Sequence, residues 1–205
     1  KTLNAERTAD AITLTGDNFR IAFSVANGEM TELSYNGKNL IKEGLQPNFW
    51  RALTDNDVAN NHLERCGIWK FAGKNAKLQI IDLKEDSDKK LATITANYKM
   101  EAQGSTLQTI YRIRPNGAVK VSMHFVPGSK ALPEMPRLGM RMILPAEYDV
   151  MTWLGRGPQE NYADRKTGYP IGLYTATVWE QFHPYVRAQE TGNKTDVCCL
   201  PVVYW

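Results

Sequence analysis

Phe19, Ile21, Phe23 and Val25 are apolar at every second position, with Arg20, Ala22 and Ser24 between them. That is the period of a half-buried strand. Asn27-Gly28 follows, a pair that tolerates positive φ and predicts a hairpin. Met30 to Tyr35 would return as the partner, and Asn36-Gly37 would turn the chain again towards Leu40 and Ile41. Between Gln46 and Asn61 the period disappears, and His62 to Phe71 suits at most a short helix. Strand patterning resumes at Leu78, Ile80 and Ile81. Three runs then form an antiparallel meander: Ala92 to Met100, Leu107 to Ile113 and Val119 to Phe125, separated by Gln103-Gly104-Ser105 and Pro115-Asn116-Gly117. Leu138, Met140, Met142 and Leu144 alternate once more, and Tyr148 to Leu154 reads as a further strand. Ile171 to Tyr174 and Thr177 to Phe182 are too short to assign. Short strands, polar turns and no long helical pattern indicate an all-β protein, a two-sheet sandwich. Residues 1–205 read as one domain, with 1–16 a leading linker or edge strand and 198–205 an atypical or truncated end.

The densest polar chemistry follows the Tyr148–Leu154 strand. Gly155, Gly157 and Pro158 force a loop, and Arg156, Gln159, Glu160, Asn161, Tyr162, Asp164 and Arg165 crowd onto it. Such a loop either holds itself rigid through hydrogen bonds or presents groups to a polar ligand; the structural reading is preferred. Glu160 stands where a dinucleotide fingerprint needs its third glycine, so that motif is absent.

Three strings carry a family resemblance. Trp153 to Arg165 is similar to the W-x-G-x-G-P-x-E-N-Y-x-D-R segment of the β-galactosidases of glycoside hydrolase family two. Asn48 to Asp57 resembles their N-F-W-R-A-P-T-D-N-D, with Leu53 in place of proline. Tyr185 to Val197 resembles Y-V-R-P-Q-E-N-G-N-x-T-D-V, and here Cys198-Cys199 follows where the family has Arg-Trp. The resemblance runs from about Asp17 to Val197. It implies the family's last domain, a β-supersandwich of the galactose-mutarotase type. The parent would be a retaining enzyme hydrolysing terminal β-D-galactosides, and this domain would brace its catalytic barrel. The family's acid and nucleophile are glutamates of that barrel, so no catalytic residue is expected in this chain. Magnesium and sodium are implied only for the parent's catalytic region, and the parent is expected to form a homo-oligomer. Because the family's domain continues past Val197, an open sheet edge is expected near the end, with either self-association or a groove.

Composition narrows the remaining classes. Apolar residues make up 42% and charged residues 23% of 205 residues, with a formal charge of +3. Basic and acidic residues are interspersed, so neither nucleic acid nor a membrane is expected as partner. Lys1 to Asp10 is polar and no Met begins the chain; both suit a segment of a longer soluble protein, cytoplasmic or periplasmic according to what precedes it. Cys66, Cys198 and Cys199 form no C-x-x-C pattern and read as free thiols.

The individual constellations point away from catalysis. Asp55-Asn56-Asp57 resembles a calcium cluster but lacks the EF-hand glycine and glutamate; a local turn network with Arg51 paired to a carboxylate is expected instead. His62, His124 and His183 fit no catalytic pattern, and His124 should face outward. Glu160, Asp164, Glu190 and Asp196 are the carboxylates that a glycosidase pair would draw on. Trp50, Arg51, Asp55, Asn56, Asp57, Arg156, Glu160, Asn161, Arg165 and Glu190 are the candidate sugar-facing or loop-organising residues. The alternatives are an aldose 1-epimerase, which would use histidine and a carboxylate at the anomeric centre, and a stand-alone carbohydrate-binding module.

Overall fold

The computed structural model describes residues 3–88, 90–128, 131–200 and 202–203. The chain divides into two compact units. One comprises Lys1–Trp50 and Glu64–Leu144, the other Arg51–Leu63 and Pro145–Trp205. The architecture is all-β, in several antiparallel sheets.

The first unit is the sandwich. Strands β1 (Asn4–Arg7), β2 (Ala11–Thr15), β3 (Phe19–Ser24), β4 (Met30–Tyr35) and β5 (Lys38–Asn39) form one sheet in that order. Residues 1–16, read as linker or edge strand, therefore contain both the edge strand β1 and an inner strand β2, whose Ile12 and Leu14 are fully buried. Strand β6 (Glu43–Asn48) pairs with β11 (Gly139–Ile143). The four-stranded meander is β7 (Lys77–Glu85), β8 (Ala92–Met100), β9 (Ser105–Ile113) and β10 (Val119–Val126).

Period-two patterning explains the packing. Ala92, Ile94, Ala96, Tyr98 and Met100 point inward from β8, and Leu107, Tyr111 and Ile113 from β9. They share one core with Ile12, Leu14, Ile21 and Phe23 of the other sheet. Each large aliphatic or phenylalanine side chain among them contributes about 1.5–3 kcal/mol through burial. Phe23 and Tyr111 meet at 4.8 Å between ring centroids, and Arg7 Nη1 donates to Ile81 O at 3.0 Å. Phe49, Trp69 and Phe125 form a second aromatic cluster at 5.8–5.9 Å.

The turns follow their chemistry with one adjustment. Asn36 and Gly37 both have positive φ (49° and 76°), the geometry of a tight hairpin. The Asn27-Gly28 turn is wider than a two-residue loop: Ser24 N donates to Glu29 O, and Val25 leaves the strand to donate its N–H to Asp10 O. A register shift between Ala22 and Phe23 accompanies it. Leu138 and Met142 alternate as a core-facing strand would, yet they are exposed: Leu138 precedes β11, and the register of β11 against β6 shifts at Met142, between Arg141 and Ile143.

The second unit is built on β12 (Val150–Arg156), flanked by β13 (Ile171–Thr177) and β14 (Val202–Val203). Ile171 to Tyr174 is thus a strand, whereas Trp179–Gln181 is a 3-10 turn. Helix α1 (Asp55–Ala59) belongs to this unit; a second short helix α2 (His62–Cys66) follows, and the 3-10 turn over Gly67–Trp69 belongs to the first unit. Cys198 N donates to Leu154 O and Leu154 N to Cys199 O, continuing the pairing on β12. Of the apolar run Leu200 to Trp205, residues 201, 204 and 205 lie outside the described residues.

Candidate functional site

Every strongly polar cluster singled out in the sequence, apart from Trp50, falls in the second unit. Trp50 is half-buried and packs against the core of the first unit.

The loop after β12 is organised by three side chains. Asn161 is fully buried. Its Nδ2 donates to Arg156 O and Gln159 O, both at 3.2 Å, and its Oδ1 accepts from Thr195 N at 2.8 Å and Thr195 Oγ1 at 2.5 Å. Its backbone N–H and C=O bond to Asn193 as well. An amide has two donors and two acceptor lone pairs, and all four are used. Arg156 spans the loop: Nη1 donates to Lys166 O and Tyr169 O, and Nε to Asp196 Oδ2 at 2.6 Å. Lys166 Nζ reaches the same carboxylate. These two cations hold Asp196 below the usual carboxylate range.

Glu160 is the buried acid, 8% exposed. One oxygen accepts from Arg165 Nη2 at 3.0 Å and from the Tyr185 hydroxyl. The other accepts from Gly192 N at 2.6 Å and Thr191 Oγ1 at 2.9 Å. Burial alone would push its pKa up, but the Gly192 N–H, the Arg165 guanidinium and the Thr191 hydroxyl outweigh it and hold the carboxyl below its ordinary value. Arg165 in turn lies over the Tyr162 ring at 4.7 Å. Burial and the nearby Glu190 and Glu160 push the Tyr162 phenol up to about 12. Under the loop, Lys194 Nζ sits 4.9 Å from the Trp153 ring centroid with no hydrogen-bond acceptor among the described residues. Burial lowers its pKa.

A second cluster surrounds α1. Thr54 caps the helix: its hydroxyl accepts from Asp57 N, and Asp57 Oδ2 accepts from Thr54 N at 2.8 Å. Arg51 Nη1 pairs with Asp57 at 2.5 Å and lies 3.9 Å from Glu190 Oε2. Burial opposes ionisation of Asp57, but the Thr54 N–H and Arg51 prevail and lower its pKa. Asp55 pairs with Arg187 at 3.2 Å, and its N–H donates to Gln189 Oε1. Glu190 N donates to Leu53 O, so the Tyr185–Val197 string touches both clusters. Asn56 is exposed. Asp164, expected to help tie the loop, is exposed and makes no side-chain hydrogen bond or ion pair among the described residues; as a short side chain at the turn it reaches no neighbour.

Both oxygens of Glu160, and Oδ2 of Asp57, thus accept from guanidinium, hydroxyl or N–H donors. Thr191, Gly192, Lys194 and Thr195 escaped sequence reasoning as partners of the loop. Their only signal was the T-G-N-K-T run, whose contacts lie 31 to 41 residues back in the chain.

The comparisons with known proteins bear on the whole chain. Residues 15–203 match the family model described as beta galactosidase small chain. The chain belongs to the β-galactosidase small-chain family. It is 36% identical over 195 residues to the β-galactosidase of Priestia megaterium, covering 95% of this chain and 19% of that protein. It is 32% identical over 190 residues to that of Halalkalibacterium halodurans, covering 92% and 19%. It is 35% identical over 184 residues to that of Lactobacillus delbrueckii subsp. bulgaricus, covering 90% and 18%. The chain therefore spans about a fifth of the length of the curated relatives it matches. No helix among the described residues is long and apolar enough to cross a membrane.

Proposed function

We propose that this chain is the non-catalytic small-chain domain of a β-galactosidase that hydrolyses terminal β-D-galactosides, and that it braces the catalytic barrel of the same protein. The state of Glu160 carries this reading. A retaining glycosidase needs one carboxyl held protonated as an acid and one free to attack, about 5–5.5 Å apart. Glu160 is saturated by four donors and held ionised; Asp57 is shifted in the same direction by the Thr54 N–H and Arg51, and Asp196 by Arg156 and Lys166. An acid needs its pKa raised by its surroundings; these carboxylates have theirs lowered.

The bracing role draws on the apolar surface of the second unit. Ile171 and Leu173 of β13 are 60% and 71% exposed, and Trp179 is 79% exposed. A patch of this kind marks an interaction face, and the relatives carry roughly four-fifths of their length beyond the part this chain matches. Magnesium and sodium would be held by that larger part.

The test is Glu160→Gln and Glu190→Gln in a chain of the relatives' full length, assayed with a chromogenic β-galactoside at a temperature where the variants stay folded. We expect kcat to stay within about threefold of the unsubstituted enzyme, with a lower melting temperature for Glu160→Gln. A loss of kcat of about a thousandfold or more, the scale of a removed acid or nucleophile, would place one of these carboxylates in the chemistry and overturn the reading.

A further inference from the structure

The outer face of the four-stranded sheet carries a groove of about 510 Å³ that plays no part in the clusters above. Its floor is set by strand register. Asn97, Gln108 and His124 lie in one row across β8, β9 and β10, and Lys99, Thr106 and Val126 in the next. Neighbouring strands are about 4.8 Å apart and successive rows roughly 6.6 Å along the strand, which gives a floor wide enough for a sugar ring. All six residues alternate with inward-facing core positions, so their side chains stand on the solvent side.

Two features make this more than an ordinary polar face. Gln108 Nε2 donates to Asn97 Oδ1 at 2.8 Å. That bond fixes both amides and leaves the Asn97 NH₂ as a donor and the Gln108 carbonyl oxygen as an acceptor that it does not use. At the far wall the register of β7 against β8 shifts between Leu78 and Ile80, and the extra residue, Gln79, lines the groove. A bulge of this kind re-aims a side chain next to a site. A third amide is thereby added, its Nε2 held by Lys77 O at 3.2 Å. Gly104, with φ +64°, closes one end.

From this geometry we propose that the groove is a binding site for a neutral saccharide. Hydroxyl groups donate and accept at once, and the groove offers both roles side by side from amides, a threonine hydroxyl and an imidazole, over the apolar patch of Val126. Among the described residues no carboxylate lines it and Lys99 is the one lining residue with a fixed charge, so the complement is a polyhydroxylated ligand without a required charge. This class is read from the groove alone and does not rest on the galactosidase reading.

The experiment titrates the isotopically labelled 205-residue chain with lactose and with cellobiose, two neutral disaccharides, and follows the amide resonances by NMR. The expected result with at least one of them is a saturating shift of the Asn97 and Gln108 side-chain amides and of neighbouring β8–β10 backbone amides. Gln108→Ala and Asn97→Asp should each weaken that binding about tenfold, the scale of one lost ligand hydrogen bond. Thr93→Ala, on the same face but outside the groove, should leave it unchanged. Absence of shifts with both sugars overturns the proposal. So do shifts confined to residues 51–63 and 145–200, or tighter binding of 3′-sialyllactose than of lactose, which would make the groove an anion site.

Discussion

Asn161 and Glu160 show how a loop rich in charges becomes a fixed part of a fold. Each is buried with its hydrogen-bonding capacity filled, Asn161 by Arg156, Gln159 and Thr195 and Glu160 by Arg165, Tyr185, Thr191 and Gly192. The Glu160 pKa is lowered from an ordinary value of 4.5, so its carboxylate contributes stability that is fully present above that value. The contribution is lost as pH falls through the lower, folded pKa. Protection of the Gly192 amide against hydrogen exchange, corrected for the intrinsic pH dependence, should therefore fall below about pH 4.5. Glu160→Gln should lower protection at neutral pH by about 1–2 kcal/mol and flatten its difference from the unsubstituted chain at low pH. A variant as protected as the unsubstituted chain at pH 7 would contradict this role. That the loop is held by hydrogen bonds was legible in the density of polar side chains after Gly155-Arg156-Gly157-Pro158. The partners were not, since a contact spanning 31 residues leaves no local pattern, and Asp164 was indistinguishable in sequence from its bonded neighbours.

At the scale of elements, period two located the meander because one face of each strand is buried and the other is not. It failed where the pairing is irregular: the register of β11 against β6 shifts between Arg141 and Ile143, and Met142 between them is exposed despite the alternation. Strand β2 was overlooked although Ile12 and Leu14 alternate with threonines, because a run of five residues between polar stretches also fits a linker. The Asp55-Asn56-Asp57 cluster is a helix N-terminus whose signal is Thr54, three residues before Asp57, the spacing of a capping box. Thr54→Ala should cost about 1 kcal/mol, seen as faster exchange of the Val58 and Asn60 amides, which donate to Thr54 O and Asn56 O. Unchanged exchange at both positions would show that the cap does not hold this helix.

For the whole molecule, the sequence conveyed an all-β sandwich and its family, while the division of the chain into two compact units was not visible in composition or spacing. The first unit owns the continuous core; the second owns the three family strings except for the Asn48–Trp50 start of one of them. The central claim is that this molecule supplies structure to a β-galactosidase and no chemistry of its own. The most direct measurement is hydrolysis of a chromogenic β-galactoside by the purified 205-residue chain. The account predicts no turnover above the buffer rate. Turnover that disappears on Glu160→Ala or Glu190→Ala would contradict it.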